Sequence, residues 1–531
     1  MTFKLTDASI ALAIQHLKKY GDTDVFPHLP EIAFLADCED EIIAELAALD
    51  LDTFTPSNAV EALAPKSKLG FRIVHQLPCL DTVLLLAAVI EIGPQIEALR
   101  PDTEEHQAFS YRFLPDGEGG LFSNDATYKS WLHHQLEVVK SNLKIKQVVV
   151  TDISDFYARV NFHRLENLLD AAAPKSGAVR YIKKHIKTIR AKQSFGLPVG
   201  GSAARLLAEL ALSDTDRALK MDGVLATRYV DDFRIFLTVD QDPYDVLALL
   251  AEHLGINEGL SLNVAKTAVY SKSEYLERLQ AQTTDVKDES FNNVLETLVA
   301  NIYSEEFPDP DEVEQLAQIN LLELLQDEIN KDSFDMGRIK FIFRALRVAK
   351  PYEAIDFIIQ NFGELVVFSR ELVLLMEELA KDHHDCFDGL HDEVLQVIQS
   401  PPASSIQLLK TWLVELLVRG VIEPQLHCLK AISLSASTPI DKRQLLLIAG
   451  RLDDTNYFRK HKTAFNNFSP FEQLCLIWGA SCLPTDEFKS WLAHVKPYLS
   501  APLGEQYLKW VLKNKDGLVA KLGNDADDHP Q

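Results

Sequence analysis

The 531-residue chain has little cysteine and no long apolar run. Its six cysteines are scattered and form no Cys-x-x-Cys pair, which argues against a structural zinc site and against a disulfide framework. An apolar stretch over residues 82–90 ends at Glu91 and is too short to span a bilayer. No secretory pattern follows Met1. We therefore expect a cytoplasmic protein that does not use a membrane as a partner.

Positive charge is also scarce, since the formal net charge is −25. A protein that follows a phosphate backbone usually carries a basic face. Residues 140–192 are an exception, with twelve Lys or Arg against four Asp or Glu. We therefore expect any contact with nucleic acid to be local and to involve a basic helix. The cations of that helix are Lys175, Arg180, Lys183, Lys184, Lys187, Arg190 and Lys192.

Two adjacent carboxylates, Asp231 and Asp232, interrupt an apolar and aromatic run over residues 228–236. Aromatic and β-branched residues favour strands, so the run predicts two short strands with the acidic pair at or near the bend. Neighbouring carboxylates repel each other, and a divalent metal ion is the simplest way to offset that repulsion. An ordinary solvated turn is the alternative interpretation.

A third carboxylate follows another strand-like run. Residues 146–151 are mostly β-branched, and Asp152 comes directly after them. A buried strand that brings Asp152 opposite the hairpin would gather three carboxylates around two Mg²⁺ ions, with Mn²⁺ as an alternative, because such hard cations prefer oxygen ligands. Two ions of this kind support the in-line displacement of nucleotidyl transfer. We predict Asp152 and Asp231 as direct metal ligands and Asp232 as a weaker third ligand.

The order of these segments resembles the palm motifs of reverse transcriptases. Asp152 with the aromatic pair that follows it is similar to the first motif. A Gly-rich loop that leads into a helix is similar to the second motif, and residues 229–232 are similar to the Tyr-x-Asp-Asp box. The segments are, in chain order, 152–157, 194–210, 229–232 and 260–267. The resemblance implies an α+β right-hand polymerase fold with fingers and palm, and a nucleotidyltransferase that acts as a DNA polymerase.

The segment 64–81 resembles the reverse-transcriptase fingers, in which basic residues hold the incoming triphosphate. Lys66, Lys68 and Arg72 are the candidate phosphate ligands, because Arg binds phosphate in a bidentate manner and Lys acts as a point charge. A solvated loop is the alternative. Segments 19–27 and 109–113 look like those of the abortive-infection (Abi) and related unknown-group reverse transcriptases of bacterial phage defence.

The Abi resemblance implies further properties. It implies dNTP substrates, synthesis without a template, a primer hydroxyl from one of the chain's own tyrosines with single-stranded DNA attached to it, and a homo-oligomer, either a trimer or a hexamer. Two alternatives stay open. One is a templated reverse transcriptase that copies a partner noncoding RNA, and the other is a non-catalytic nucleotide-sensing helical scaffold or toxin.

The first palm motif also suggests a nucleotide site. By resemblance, Asp155 and Phe156 lie near the incoming nucleotide, and Tyr157 lies beneath its sugar. A bulky ring at that place leaves no room for a 2′-hydroxyl and would select deoxynucleotides. A solvated Asp155 and a core aromatic at Tyr157 are the simpler interpretations.

The other motifs add four candidates. Gly196 and Gly200 allow the backbone to approach a nucleotide closely, and Arg205 would brace the same loop. Lys266 is a candidate proton donor to the departing pyrophosphate, because a general acid must lie within hydrogen-bond reach. Its alternative is a surface lysine.

The predicted domains follow one another along the chain. They are an N-terminal helical lead-in (1–60), fingers and palm (61–280), a helical region (281–523) and a disordered acidic tail (524–531). In the third, apolar residues recur every three or four positions, and prolines separate the segments. The pattern predicts a HEAT-like repeat domain or an irregular helical bundle. The helical segments are 321–329, 339–348, 352–362, 371–380, 406–418, 426–434, 442–452, 471–480 and 486–494.

Overall fold

The computed structural model describes residues 2–67, 69–189, 193–283, 320–331, 334–499, 502–518 and 522. The chain forms two compact units that alternate along the sequence. The first unit comprises residues 1–16, 50–57 and 83–306, and the second comprises 17–49, 58–82 and 307–531. This arrangement differs from the predicted order of consecutive domains, because the lead-in is divided between the units and the fingers segment belongs to the second one. The predicted tail 524–531 lies outside the described residues.

Strands and helices alternate as far as residue 283, and the described residues after it contain helices but no strand. The strands are β1 (Val60–Pro65), β2 (Phe71–Gln76), β3 (Ile145–Asp152), β4 (Ala226–Tyr229), β5 (Asp232–Thr238) and β6 (Ala268–Ser271). The helices before residue 284 are α1 (Asp7–Tyr20), α2 (Ile32–Asp37), α3 (Glu39–Ala48), α4 (Cys79–Glu91), α5 (Gly93–Leu99), α6 (Tyr128–Ser141), α7 (Phe156–Arg159), α8 (Phe162–Ala172), α9 (Gly177–Ile189), α10 (Ser202–Met221), α11 (Pro243–Glu252) and α12 (Lys272–Thr283). The later helices are α13 (Leu321–Ile329), α14 (Met336–Ala349), α15 (Glu353–Leu365), α16 (Ser369–Asp382), α17 (His391–Ile398), α18 (Gln407–Arg419), α19 (Leu426–Ser435), α20 (Pro439–Arg451), α21 (Thr455–His461), α22 (Pro470–Gly479), α23 (Thr485–Val495) and α24 (Gly504–Asn514).

The first unit contains a four-stranded antiparallel sheet in the order β4-β5-β3-β6. The predicted strand over 146–151 is β3, and the predicted hairpin is β4–β5 with a two-residue turn at Val230 and Asp231. Helices α6 and α12 pack against each other. Helix α6 also packs against β4, and α12 packs against β3. Trp131 of α6 is fully buried and donates its indole N–H to Thr227 Oγ1 at 3.0 Å. An apolar core therefore supports the strands that carry the acidic residues.

Helix α10 is the long buried element of the first unit. Residues 202–213 are all buried, as expected of a helix with apolar surroundings on every side. It begins directly after the glycines of the segment that resembles the second palm motif, so the predicted loop followed by a helix is present. Two of its polar residues, Glu209 and Asp216, are also buried and therefore need partners.

The second unit contains the β1–β2 hairpin and the later helices. All nine helical segments predicted from apolar spacing coincide with described helices. Helices α14, α16, α18, α20 and α22 pack one against the next in a row, and α15, α17 and α19 make a second row of neighbours. Pro439 and Pro470 occupy the first turn of α20 and α22, where a missing N–H costs no helical hydrogen bond. The region is therefore helical, and within each row a helix packs against the second helix after it in the sequence.

Segments far apart in sequence join within the second unit. Trp412 of α18 is fully buried and donates its indole N–H to the carbonyl of Val25 at 2.8 Å. Trp510 of α24 donates to Asp37 Oδ2 at 2.8 Å. Indole N–H groups that are buried require such acceptors, and they tie the segment 17–49 to the C-terminal helices.

Among the described residues, no single helix combines the length and the apolar composition needed to cross a membrane. Cys79–Glu91 and Gly93–Glu105 reach those limits only when counted together, and they are bent by 52° relative to each other. The middle of the first of them, residues 83–89, is buried in the fold.

Candidate active site

Three segments of the first unit meet at the carboxyl end of β3. Asp152, the last residue of β3, lies opposite Asp232 in the β3–β5 register. The N–H of Ile153 donates to the carbonyl of Asp231 at 3.1 Å, which links the hairpin turn to the end of β3. The N–H of Asn263 donates to the carbonyl of Asp152 at 2.8 Å and brings in the third segment. Backbone bonds thus bring the predicted acidic residues together.

Asp152 is buried, with 5% of the residue exposed. Its Oδ2 accepts a hydrogen bond from Lys266 Nζ, whereas its Oδ1 is buried without a hydrogen-bond partner. Buried carboxylate oxygens in proteins are nearly always satisfied, so each exception requires an explanation. A bound cation would provide one.

Ionisation of the Asp231 carboxyl group is unfavourable in this fold. Burial and then the neighbouring charges of Asp232 and Asp152 raise its pKa to about 7, although Lys266 partly offsets them. Asp232 is less enclosed, with 36% of its side chain exposed, and its Oδ1 lies 3.8 Å from Arg234 Nη1. Of the three acidic residues, Asp152 is therefore buried, whereas Asp231 and Asp232 are half-buried.

Lys266 contacts an acid directly. Partial burial acts to lower its pKa, but the hydrogen bond to Asp152 and the charges of Asp232 and Asp231 raise it above the ordinary value. More than half of the side chain is exposed. Lys266 therefore keeps its proton at neutral pH and has room to move away from Asp152.

Oxygen ligands of this kind suit a hard divalent cation. Over the ranges that the structure describes, no group of three His, Cys, Asp or Glu side chains is already arranged to hold a metal ion. Asp152 Oδ1 and the unfavourable ionisation of Asp231 nevertheless fit such an ion, because a positive charge there would satisfy the first and relieve the second.

The aromatic pair after β3 lies beside this edge. Phe156 is buried, and Tyr157 is half-buried with its ring centroid 5.5 Å from that of Phe156. Burial and then Tyr111 raise the pKa of Tyr157 well above its usual value, with Asp231 contributing in the same direction. Asp155 is exposed and has φ of 47°. The short turn thus turns Asp155 to the surface and Tyr157 toward the acidic residues.

The loop before α10 uses the conformational freedom of glycine. Gly196 and Gly200 have φ of 96° and 128°, a region that other residues rarely adopt. Arg205 is buried, and its guanidinium lies 5.0 Å from the ring centroid of Tyr111. That cation–π contact places Arg205 against an aromatic ring, and its charge also acts to lower the pKa of Tyr157.

The predicted fingers cations lie in the other unit. Lys66 and Arg72 are exposed on and beside the β1–β2 turn, where the N–H of Lys66 donates to the carbonyl of Gly70 at 2.8 Å. They belong to the second unit, whereas the carboxylates belong to the first. Lys68 lies outside the described residues. Their role as phosphate ligands stays a prediction.

The predicted basic helix is α9, and its described cations are occupied within the first unit. Arg180 contacts Asp52 at 3.2 Å, and Lys183 and Lys187 contact Asp170 and Glu166 at 2.5 Å. Lys184 donates to the carbonyls of Asp52 and Phe54. Arg190 and Lys192 lie outside the described residues. Much of the positive charge expected to face nucleic acid is therefore offset by the chain's own oxygens.

A buried polar network lies next to the turn, and no sequence motif predicted it. Arg228 donates through Nε and Nη2 to both carboxylate oxygens of Asp216 at 2.7 Å and through Nη1 to the carbonyl of Val230 at 3.0 Å. Glu209 contacts Arg228 at 2.9 Å and Arg100 at 2.7 Å. Burial acts to lower the pKa of Arg228, but Asp216 and Glu209 raise it above its usual value. The one sequence signal is that Glu209 and Asp216 stand seven residues apart and therefore on the same side of α10.

Solved structures similar to this chain include telomerases, and none of the curated proteins matches it. The apo telomerase from Candida tropicalis has 12% identity and a TM-score of 0.34, over 72% of this chain and 74% of that chain. The telomerase from Candida albicans in complex with the TWJ fragment of telomeric RNA has 11% identity and a TM-score of 0.30, over 72% and 70%.

A family model matches the region that contains the acidic residues. Residues 66–291 match the family described as reverse transcriptase (RNA-dependent DNA polymerase). The match includes the end of β3, the turn between β4 and β5, and the segment that carries Lys266. The chain therefore contains a reverse transcriptase domain, and the protein is an enzyme of the nucleotidyltransferase class.

Proposed function

We propose that the protein is a DNA polymerase that adds deoxynucleotides by a mechanism with two Mg²⁺ ions. The observation that carries the proposal is the buried Asp152 Oδ1, which lacks a hydrogen-bond partner next to an Asp231 whose pKa is raised to about 7. Two divalent ions, when bound, would supply an activated 3′-hydroxyl and charge stabilisation for the leaving pyrophosphate. Asp152 and Asp231 would hold them, with Asp232 as the weaker ligand.

Lys266 has a separate role in this proposal. Its ammonium group offsets the charge of Asp152 when no nucleotide is bound. In the polymerase reaction Lys266 Nζ would donate a proton to the departing pyrophosphate. Its raised pKa supports this role because the proton is retained at neutral pH. A Lys266→Met variant with an unchanged rate of incorporation would contradict it.

Tyr157 is the proposed discriminator between sugars. Its position one residue after the buried Phe156, within the field of Asp231, supports a ring that lies under the sugar of a nucleotide bound near the carboxylates. Phe156, Asp155, Gly196, Gly200 and Arg205 would form the surrounding wall. A Tyr157→Ala variant is expected to accept ribonucleotides, and a variant that rejects them as well as the parent does would remove this role.

The remaining proposals concern the cellular role. The resemblance to Abi enzymes supports synthesis without a template, priming from a tyrosine and a function in abortive infection. The row of neighbours formed by every second helix in the second unit supports a HEAT-like arrangement, which in such enzymes helps to build a homo-oligomer. Sedimentation of the purified chain tests the oligomer, since a single monomeric species would contradict it.

The polymerase proposal is tested with labelled dNTPs and Mg²⁺ on the full chain. The parent and an Asp240→Ala control are expected to incorporate label, because Asp240 is an exposed carboxylate in the loop after β5. Asp231→Ala is expected to incorporate none above background. Equal labelling of all three proteins would show that the activity does not come from this site.

Sequencing of the DNA that is produced tests the template question. A biased random sequence that remains attached to protein after denaturation supports untemplated, tyrosine-primed synthesis. A fixed sequence complementary to a copurified RNA would instead establish a templated enzyme with a noncoding RNA partner.

A further inference from the structure

A buried chain of hydrogen bonds connects the turn at Asp231 to helix α10. The backbone N–H of Val230 donates to Ser110 Oγ at 2.7 Å, and the Ser110 hydroxyl donates to Glu209 Oε1 at 2.5 Å. Ser110 and Glu209 are 0% and 1% exposed. A serine hydroxyl has one hydrogen, so its donation to Glu209 leaves a lone pair for the N–H of Val230. Ser110 thus bridges a fixed helix and a turn.

The turn needs to be held because its backbone is unfavourable. Val230 has φ of 54°, and a β-branched side chain is strongly disfavoured in that region. The carbonyl of Val230 accepts from Arg228 Nη1 at 3.0 Å, while its N–H is bound by Ser110. Both peptide groups that flank this residue are therefore fixed, and the next residue in the chain is Asp231.

The far end of the chain of hydrogen bonds is buried and held by two arginines. Glu209 Oε2 contacts Arg100 at 2.7 Å and Arg228 at 2.9 Å. Arg100 also donates to the backbone carbonyl of Ser110 at 2.6 Å. Ser110 is therefore held through both its backbone and its hydroxyl, which gives the turn a rigid reference point inside the first unit.

We propose that Ser110 is the positioning residue for Asp231. Its hydroxyl links Glu209, which is held in place, to the N–H of Val230. This link orients the Asp231 carboxylate toward Asp152. The inference rests on the proposed function, in which Asp231 is a metal ligand. It goes beyond that function because it assigns the orientation of the turn to a residue about 120 positions upstream, outside the segments that resemble palm motifs.

A matched control lies on the same helix as Glu209. Ser213 is also 0% exposed, and its hydroxyl donates to the carbonyl of Leu210 at 2.8 Å, one turn back in α10. Ser213→Ala deletes one buried hydroxyl, as Ser110→Ala does, but it leaves the bond to Val230 in place. Any difference in exchange or activity between the two variants therefore measures the effect of the hydrogen bond between Ser110 and Val230.

The experiment compares the full-length parent, Ser110→Ala and Ser213→Ala by hydrogen exchange of peptides over residues 226–236 and by dNTP incorporation. For Ser110→Ala we expect exchange faster by about tenfold or more, kcat lower by about tenfold or more and a several-fold rise in the Mg²⁺ concentration for half-maximal rate. KM for dNTP and all values for Ser213→Ala should stay within about twofold.

Three outcomes decide between the proposals. Unchanged exchange in Ser110→Ala would overturn the positioning role, whatever the activity. Faster exchange with an unchanged kcat and Mg²⁺ dependence would also overturn it, because a merely structural bond behaves in this way. A parent that incorporates no dNTP would instead overturn the proposed function, and exchange in the turn would then still decide whether Ser110 fixes it.

Discussion

Two buried acidic regions of the first unit are stabilised in opposite ways. Asp216 is fully buried, and both of its carboxylate oxygens accept hydrogen bonds from Arg228 at 2.7 Å. Asp152 has one oxygen without a partner, and Asp231 has a pKa raised to about 7. The first region is electrostatically complete, whereas in the second Lys266 and Arg234 do not fully offset the charges of the three carboxylates. Arg228 stands only three positions before Asp231, so the difference is local and points to the second region as the place where a ligand is needed.

The strongest test of this comparison is Asp231→Asn. We expect dNTP incorporation to fall by about 10³-fold, as for loss of a key electrostatic group in other enzymes. We expect the thermal midpoint to stay the same or rise, because repulsion with Asp152 and Asp232 is removed. Incorporation and thermal unfolding are measured on one preparation. A variant that loses stability along with activity would show that Asp231 belongs to the completed region instead.

The opposite test removes charge from the completed region. Arg228→Met leaves the buried Asp216 and Glu209 without a partner, so we expect a loss of about 3–5 kcal/mol in the free energy of unfolding. Lys220→Met is the control, because Lys220 pairs with Glu105 while 58% and 33% of the two side chains are exposed. We expect it to lose about 1 kcal/mol or less. Urea unfolding compares the two, and equal losses would refute the distinction.

A third buried group tests the effect of burial on an ionisable side chain. Burial lowers the pKa of His185 on α9 to about 3, below the ordinary 6.5. The unfolded chain therefore binds a proton near pH 6.5 while the folded chain does not, so this contribution is present above pH 6.5 and is lost as the pH falls toward 3. From pH 7 to 5 we expect a loss of about 2 kcal/mol.

The matched variant for that experiment is His185→Phe, which keeps an aromatic ring at the position. Urea unfolding at pH 7 and pH 5 should show a smaller loss for His185→Phe than for the parent, by about 2 kcal/mol. Identical pH dependence in both proteins would mean that burial does not lower the pKa of His185.

The smallest expected effect concerns the backbone of the turn. Because φ at Val230 is 54°, we expect Val230→Gly to be more stable than Val230→Ala by about 1 kcal/mol, the reverse of the usual order outside such turns. Both variants lose the two methyl groups of Val230 and differ in the β-carbon, which is the atom that makes a positive φ unfavourable. An advantage for alanine in urea unfolding would show that the turn is not strained.

The regular elements could be predicted from local patterns. The β-branched run before Asp152, the aromatic flanks of Asp231 and the apolar spacing after residue 320 correspond to β3, the β4–β5 hairpin and the later helices. These patterns work because a strand or helix buries a fixed set of positions. The family match over 66–291 covers all four segments that resemble palm motifs.

Contacts between distant segments could not be predicted in this way. The joining of Val25 to Trp412 depends on which surfaces meet, and no periodicity records that. The ion pairs of α9 could not be predicted either. A count of charges predicts a basic face but does not show which carboxylates pair with its cations. Ser110 lies in segment 109–113, which resembles Abi enzymes, but that resemblance does not indicate which groups its hydroxyl binds.

The sequence by itself determined which groups this protein has for chemistry: the acidic residues at strand ends, the glycines before α10 and the regular helices that follow. Local spacing is enough for these, because each depends on neighbours within a few positions. Only the tertiary structure decided how the groups are used. It left Asp152 Oδ1 without a partner, neutralised Asp216 with Arg228 and fixed Val230 through Ser110, because charge compensation in a protein interior depends on groups that folding brings within about 3 Å of one another.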